Sequence, residues 1–410
     1  MKKFLLPLFA AALFPGRAAA APEPAQALTL PAIMAEVKTA NPSLAAARRQ
    51  LGLLQAEVLI NSAYPNPTIE IDKSASSVFD DYELKAVQPV PLTRRAGTAG
   101  AAARASYEAA QKELEALETV ILSAARKAWY ALRIGKERRD FEEKNLRFSM
   151  DILNKIEMRL QTGEAGNADL ARAKVEASRS AYHLQEAETA QRAAAGELNT
   201  LMGRRPDAPA AVSENGGFSL APVAPALEPL EKYTELALAR RFELRALALS
   251  GKAADLGLTL EKDKRLPVPE FGLIRGTAGG TSYSRLFLGL ELPLWYNNKG
   301  EVKRALAHKA ALDYEGQRLE LEIRGQVYSA WLELGLAQKR LATSRETVIL
   351  LNDLRRAASQ DYLSGKIDLT AFYETNRVFL EENVNYLDAL KEYYEKTAQL
   401  EAAANIGEEK

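Results

Sequence analysis

Apolar residues return at alternating spacings of three and four along two stretches of the chain. The first comprises Tyr107, Ala110, Leu114, Leu117, Ile121, Ala124 and Ala128, the second Ile323, Val327, Ala330, Leu334, Ala337 and Leu341. Such spacing keeps one stripe of a helix turned toward a neighbour and predicts a coiled-coil seam. Both seams lie in stretches of 64 residues without proline, 98–161 and 300–363. At about 1.5 Å per residue each predicts a helix roughly 95 Å long, which has to lie against other long helices. Glycines end both: Gly163 and Gly166 in the first, Gly365 in the second, with Asn167 and Asp368 placed to cap a returning helix. The returning stretches, 167–202 and 368–405, are about half as long as the outgoing ones. Further helical pattern occupies 31–63, interrupted at Asn41-Pro42, and 231–265. Two short helices end to end would cover one long one.

A period of two takes over at 68–72, 83–90, 271–275 and 283–292. The prolines before these runs, Pro65 with Pro67 and Pro267 with Pro269, remove donors and push their predecessors toward extended backbone, so helix gives way to strand there. In the last run Leu286, Leu288, Leu290 and Leu292 share one face and Arg285, Gly289 and Glu291 the other. One face suits lipid and the other water, although such runs taken alone also describe half-buried strands of a soluble sheet. The connections 73–82 and 276–282, rich in serine, aspartate or glycine, read as exposed loops.

These landmarks repeat. Pro65 and Pro67 match Pro267 and Pro269, Pro91-Leu92 matches Pro293-Leu294, Ala128-Trp129 matches Ala330-Trp331, and Gly163 matches Gly365, every pair 202 residues apart. The chain is a duplication. It divides into a first repeat at 28–203, a linker at 204–229 rich in proline and glycine, and a second repeat at 230–407. Ahead of it Met1, Lys2 and Lys3 precede an apolar run and the small residues at 18–21, so 1–20 reads as a secretory signal peptide with the mature chain starting near Ala21.

No later stretch approaches the roughly 18 apolar residues of a transmembrane helix, so any entry into a membrane is made by strands. Four strands cannot close a barrel, and open edges are not tolerated in lipid, so several chains must share one. Two would give eight strands and three would give twelve; spacing does not choose. The chain has no cysteine, which removes disulfides, thiolate chemistry and a lipid-bearing amino-terminal cysteine. Basic and acidic residues number 54 each, so no basic field awaits nucleic acid.

Tyr-Pro-Asn-Pro at 64–67, Gln-Pro-Val-Pro-Leu at 88–92, Arg-Leu-Gln-Thr-Gly-Glu at 159–164, Leu-Pro-Leu-Trp-Tyr-Asn-Asn-Lys-Gly-Glu at 292–301 and Tyr-Leu-Asp-Ala-Leu at 386–390 stand in that order. In this arrangement the chain resembles the TolC family of outer-membrane efflux proteins, in its CzcC/CusC-like heavy-metal branch, over about residues 28–407. The resemblance implies a mainly α fold with a small β part: two tandem strand-strand-long-helix repeats that form, as a homotrimer, a 12-stranded outer-membrane β-barrel on a periplasmic α-helical barrel. It also implies a periplasmic adaptor, an inner-membrane resistance-nodulation-division transporter, outer-membrane lipid around the strands, and passage of metal cations or small organic solutes. A protein-secretion duct and a periplasmic coiled-coil adaptor without a barrel are the competing readings. An adaptor would carry one helical hairpin, whereas this chain has two, each behind its own strand pair.

A duct needs no catalytic constellation, cofactor or resident metal, and none is expected. His183 and His308, the only histidines, stand far apart with no motif around them. The family likeness places the gate at the periplasmic tips and, aligned on the tip glycines, points to Asp169, Tyr362 and Glu374. Ala371 and Ile367 stand where the relative carries an aspartate and an arginine. Asp169 and Glu374 are expected to line the entrance and favour cations, or equally to cap or decorate their helices. Gly163, Gly166 and Gly365 read first as turn residues and, by resemblance, as part of the tip that docks the adaptor.

Overall fold

The computed structural model describes residues 29–75, 80–210 and 225–406. The segment 1–20 read as a signal peptide, most of the expected linker and part of the first strand connection lie outside the described residues. The first repeat runs α1 (Leu30–Ala40), α2 (Pro42–Ser62), β1 (Thr68–Ala75), β2 (Asp80–Pro89), α3 (Arg95–Gln161) and α4 (Asn167–Leu201). The second follows the same order with α5 (Leu230–Arg240), α6 (Phe242–Asp263), β3 (Pro269–Ala278), β4 (Thr281–Leu290), α7 (Lys299–Leu363) and α8 (Leu369–Ala404). Helices α1, α2 and α4, of 11, 21 and 35 residues, together match the 67 of α3. They lie along it, α2 toward the strands and α4 toward the far end.

The break between α1 and α2 follows from Asn41-Pro42. Pro42 cannot donate, and the Asn41 side chain caps α2 by accepting from Ser43 N at 3.0 Å and Leu44 N at 3.2 Å. Its amide also donates to Leu201 O at 2.8 Å, so the kink grips the end of α4. The second repeat corrects the sequence expectation of one unbroken helix at 231–265. The chain bends at Arg241, where no proline stands, because tertiary contacts hold it extended. Arg241 donates to Ala403 O at 3.0 Å and Gln326 Oε1 at 2.7 Å, and Asn405 donates to Arg240 O at 2.9 Å.

All four strands form one antiparallel sheet in the order β1-β2-β3-β4, with β2 against β3 joining the repeats from Glu83↔Gly276 to Pro89↔Glu270. The expected loop at 276–282 is mostly strand. Only Gly279 and Gly280 turn, at φ 57° and 82°, the two-residue primed hairpin that glycine adopts without strain. Side chains alternate across the sheet. Ile69, Ile71, Tyr82, Leu84, Phe271, Leu273, Leu286, Leu288 and Leu290 share one exposed face, where Leu286 is 90% accessible. The other face carries Glu70, Asp72, Asp81, Glu83, Lys85, Glu270 and Arg285, with Lys85–Glu70 at 3.2 Å and Arg285–Glu83 at 2.8 Å.

Below the sheet each repeat has its own core around a tryptophan. Trp129 packs with Ile33, Val37, Leu44, Leu132 and Leu198, and Trp331 packs beside Ala237, Val327 and Leu334 while donating to Glu228 O at 2.9 Å. A third cluster, Ile134 with Leu341, Val348, Tyr386 and Leu390, spans the repeats, and Tyr130 stacks on Tyr394 at 4.1 Å. The α7 seam is buried at all six positions expected of it. On α3 the deepest stripe is Ala105, Ala109, Ile121, Ala125, Ala128 and Leu132, so Tyr107, Ala110 and Ala124 are only half-buried. The seam shifts because α3 is packed by α1, α2, α4, α6 and α8 rather than chiefly by one neighbour.

Candidate functional site

Helix α3 stops because Gly163 takes φ 80°, which lets Glu164 N–H close on Arg159 O at 2.8 Å. Helix α7 stops the same way at Gly365, φ 72°, with Lys366 N–H on Asp361 O at 2.9 Å. Gly166 then begins α4 and receives the Asp169 carboxylate on its own N–H at 3.1 Å. Glycine has no side chain to return that bond, so this is half a capping box. In the second hairpin Asp368 caps α8 through Ala371 N–H at 2.8 Å. Both tips are therefore two-glycine or glycine-aspartate turns of the same design.

The two tips are joined. Tyr362 stacks on Phe372 with centroids 5.2 Å apart, and the Arg159 guanidinium of the first hairpin lies 6.0 Å from the Tyr362 ring. Arg172 on α4 donates to the Thr370 hydroxyl on α8. Beneath them Ile152, Ile156, Ala173, Leu369, Phe372 and Tyr373 form an apolar core drawn from both hairpins. Glu374 is exposed and pairs with Arg377 at 3.0 Å. Thus Tyr362 sits at the junction of the hairpins, Asp169 serves its own helix start, and Glu374 serves its own helix face. The Arg172–Thr370 link was not legible in the sequence, since nothing in either helix marks which residues oppose across the gap.

Tyr64 just before β1 and Trp295 with Tyr296 just after β4 mark the helical edge of the apolar sheet face, Trp295 at 99% accessibility. Amphipathic rings at that height are the pattern of a membrane interface. Among the described residues no group of three or more His, Asp or Glu side chains is placed to hold a metal, and no helix is long and apolar enough to cross a membrane. His183 lies 3.5 Å from Glu186 on an exposed helix face.

Residues 234–405 match the sequence model of a family described as outer membrane efflux protein. The cobalt-zinc-cadmium resistance protein CzcC of Cupriavidus metallidurans is 23% identical over 391 residues, covering 92% of this chain and 90% of its own. The fold is shared with the outer-membrane channel OprN at a TM-score of 0.76 and 16% identity, covering 92% of this chain and 90% of OprN. CusC superposes at a TM-score of 0.76 and 14% identity, covering 92% and 91%. The open-state MtrE outer membrane channel of Neisseria gonorrhoeae gives 0.74 and 17%, covering 92% and 88%.

Proposed function

We propose that the chain is an outer membrane efflux protein, a reading supported by the family match over 234–405 and by the likeness to CzcC, and that three copies form the exit duct of a tripartite efflux system for metal cations. The observation that carries the reading is a contact the molecule makes with itself. Repeat one meets repeat two through β2 on β3 and through α3 on α6. By the same operation β4 should pair with β1 of the next copy and α7 should receive the next copy's α2. Those surfaces are open in one chain: β1 and β4 are the sheet's edges, and Tyr314, Leu321, Leu336 and Leu350 on α7 and Leu53, Leu59 and Ile60 on α2 are exposed apolar residues. Such a head-to-tail contact either closes into a ring or runs on as a filament, and lipid admits no free sheet edge. Closure also covers the apolar helix faces.

The family likeness supports three as the number, which gives twelve strands. Strands of 10 residues in β2, β3 and β4 have the length needed to span a bilayer at a tilt. The polar sheet face then lines the lumen, where Glu70, Asp72, Asp81, Glu83 and Glu270 outweigh Lys85 and Arg285. That balance, with the name of the CzcC relative, favours cations as cargo. The tip, with Asp169, Tyr362 and Glu374, is the proposed constriction, and Gly163, Gly166 and Gly365 the turns that meet a periplasmic adaptor linked to a resistance-nodulation-division transporter. Conduction, not catalysis, is the role.

Detergent extraction of the outer membrane followed by mass determination of the intact particle tests the assembly, with a three-chain particle expected and a single chain overturning it. Deleting the gene should lower tolerance to cobalt, zinc or cadmium. Unchanged tolerance to all three would remove the metal assignment while leaving the assembly standing.

A further inference from the structure

Between the tip core and the shaft core the packing turns polar. On α3, Glu142, Asn145 and Ser149 occupy the inward positions at spacings of three and four where apolar residues stand above, at Ile134, and below, at Ile152 and Ile156. Ser180 of α4 and Asn376 of α8 complete the layer, and all five are buried, Glu142 at 5% accessibility and Asn145 at 4%. Asn145 donates to Ser180 Oγ at 3.3 Å, and the hydroxyls of Ser149 and Ser180 lie 2.8 Å apart. Asn145 Oδ1, Asn376 Oδ1 and the Tyr373 hydroxyl have no hydrogen-bond partner. All three residues border one groove of about 400 Å³ between α4 and α8, floored by α3, and Glu142 borders it too.

Orphaned buried acceptors beside a buried carboxylate are expensive unless a donor or water reaches them. We propose that this layer is a proton-controlled joint between tip and shaft: protonated Glu142 donates into it and the three helices close, while ionised Glu142 draws water into the groove and α4 and α8 loosen over α3. The titratable and charged groups facing Glu142 are Arg138 on its own helix, Glu176, Arg179, His183 and Glu186 on α4, and Arg377 and Glu381 on α8. Most of these are already paired among themselves, Arg179 with Glu176 at 3.0 Å, His183 with Glu186 at 3.5 Å and Arg377 with Glu381 at 3.6 Å. Burial therefore dominates and raises the Glu142 pKa, against the lowering influence of His183, Arg138 and the Asn145 hydrogen bond. A carboxylate whose pKa is higher in the closed joint than in the loosened one binds a proton on closing, so falling pH favours closure. The apolar clusters on either side stay intact, which makes the layer the place where the tip hairpins bend.

Amide hydrogen exchange on the purified full-length protein reads the joint directly. After correction for intrinsic rates, protection in 138–150, 176–187 and 373–385 is expected to rise several-fold in the wild type as pH falls from about 7.5 to about 4, through the ordinary carboxylate range and the range above it. Glu142→Gln, a neutral side chain of the same shape, should hold the protected level at both pH values, and His183→Gln should keep the wild-type response. Wild-type protection that does not change with pH would overturn the proposal, and needs no variant to observe. A response lost in His183→Gln but kept in Glu142→Gln would overturn it as well. The measurement follows segments within a chain, so its failure leaves the duct assembly, tested by particle mass, untouched.

Discussion

At Asp169 one carboxylate has a structural duty, closing the first turn of α4 on Gly166 N–H, and a proposed electrostatic one at the entrance. Substitution separates the two. Asp169→Asn keeps an acceptor oxygen and removes the charge, whereas Asp169→Ala removes both and should cost about 1 kcal/mol of local stability. In a planar bilayer under a salt gradient, Asp169→Asn and Glu374→Ala are expected to shift the reversal potential toward weaker cation preference. If both variants stay as selective as the wild type, the charges at the tip have no part in selection. Asn41 offers a second residue-scale test, because it caps α2 and also holds Leu201 O while almost fully buried. Asn41→Ala should lower stability by about 1–3 kcal/mol, adding an unsatisfied carbonyl to a lost cap. A thermal melt indistinguishable from wild type would show that the kink does not depend on it.

Among the elements, the strands carry the clearest division of labour. Leu288 faces outward on β4 between Leu286 and Leu290, and Leu288→Arg places a charge where hydrocarbon is expected, at a cost of about 2–4 kcal/mol near the midplane. Arginine at Phe287, on the opposite face beside Lys85, should cost far less. The folded, heat-resistant fraction recovered from membranes distinguishes them, and equal recovery would mean that the two faces do not differ in environment. The periodicity of these strands and the α7 seam were readable directly, since two faces in unlike surroundings impose alternation and a helix packed chiefly on its returning partner α8 buries a single stripe. The bend at Arg241 was not readable: arginine has no intrinsic reason to end a helix, and the extended backbone is held by Ala403, Gln326 and Asn405 from elsewhere in the chain. The α3 stripe kept Ile121 and Ala128 but left Tyr107, Ala110 and Ala124 half-buried for a related reason, a helix with five partners having no single buried face.

Across the whole molecule the duplication acts as a template, each chain containing one copy of the repeat-to-repeat contact that proposed assembly would multiply. Leu321→Arg with Leu350→Arg on the open face of α7 should leave the fold of one chain intact, since both side chains are already exposed, and should lower the share of three-chain particles at least several-fold. Particle mass and far-ultraviolet circular dichroism on the same sample check this. Full assembly of the double variant would place the contact elsewhere.

Sequence alone settled the repeat, the order of elements, the lengths of the long helices and the two unlike faces of the strands, because each is written in local spacing: 202 residues between landmarks, periods near two and three and a half, prolines and glycines at the boundaries. Tertiary structure decided the Arg241 bend, the depth of each face of α3, the Arg172–Thr370 link and the polar layer across α3, α4 and α8. Those depend on which residues oppose one another between segments far apart in the chain. The polar layer did leave a trace, Glu142, Asn145 and Ser149 at seam spacing, but a helix read by itself does not say whether such a stripe faces water or a buried groove.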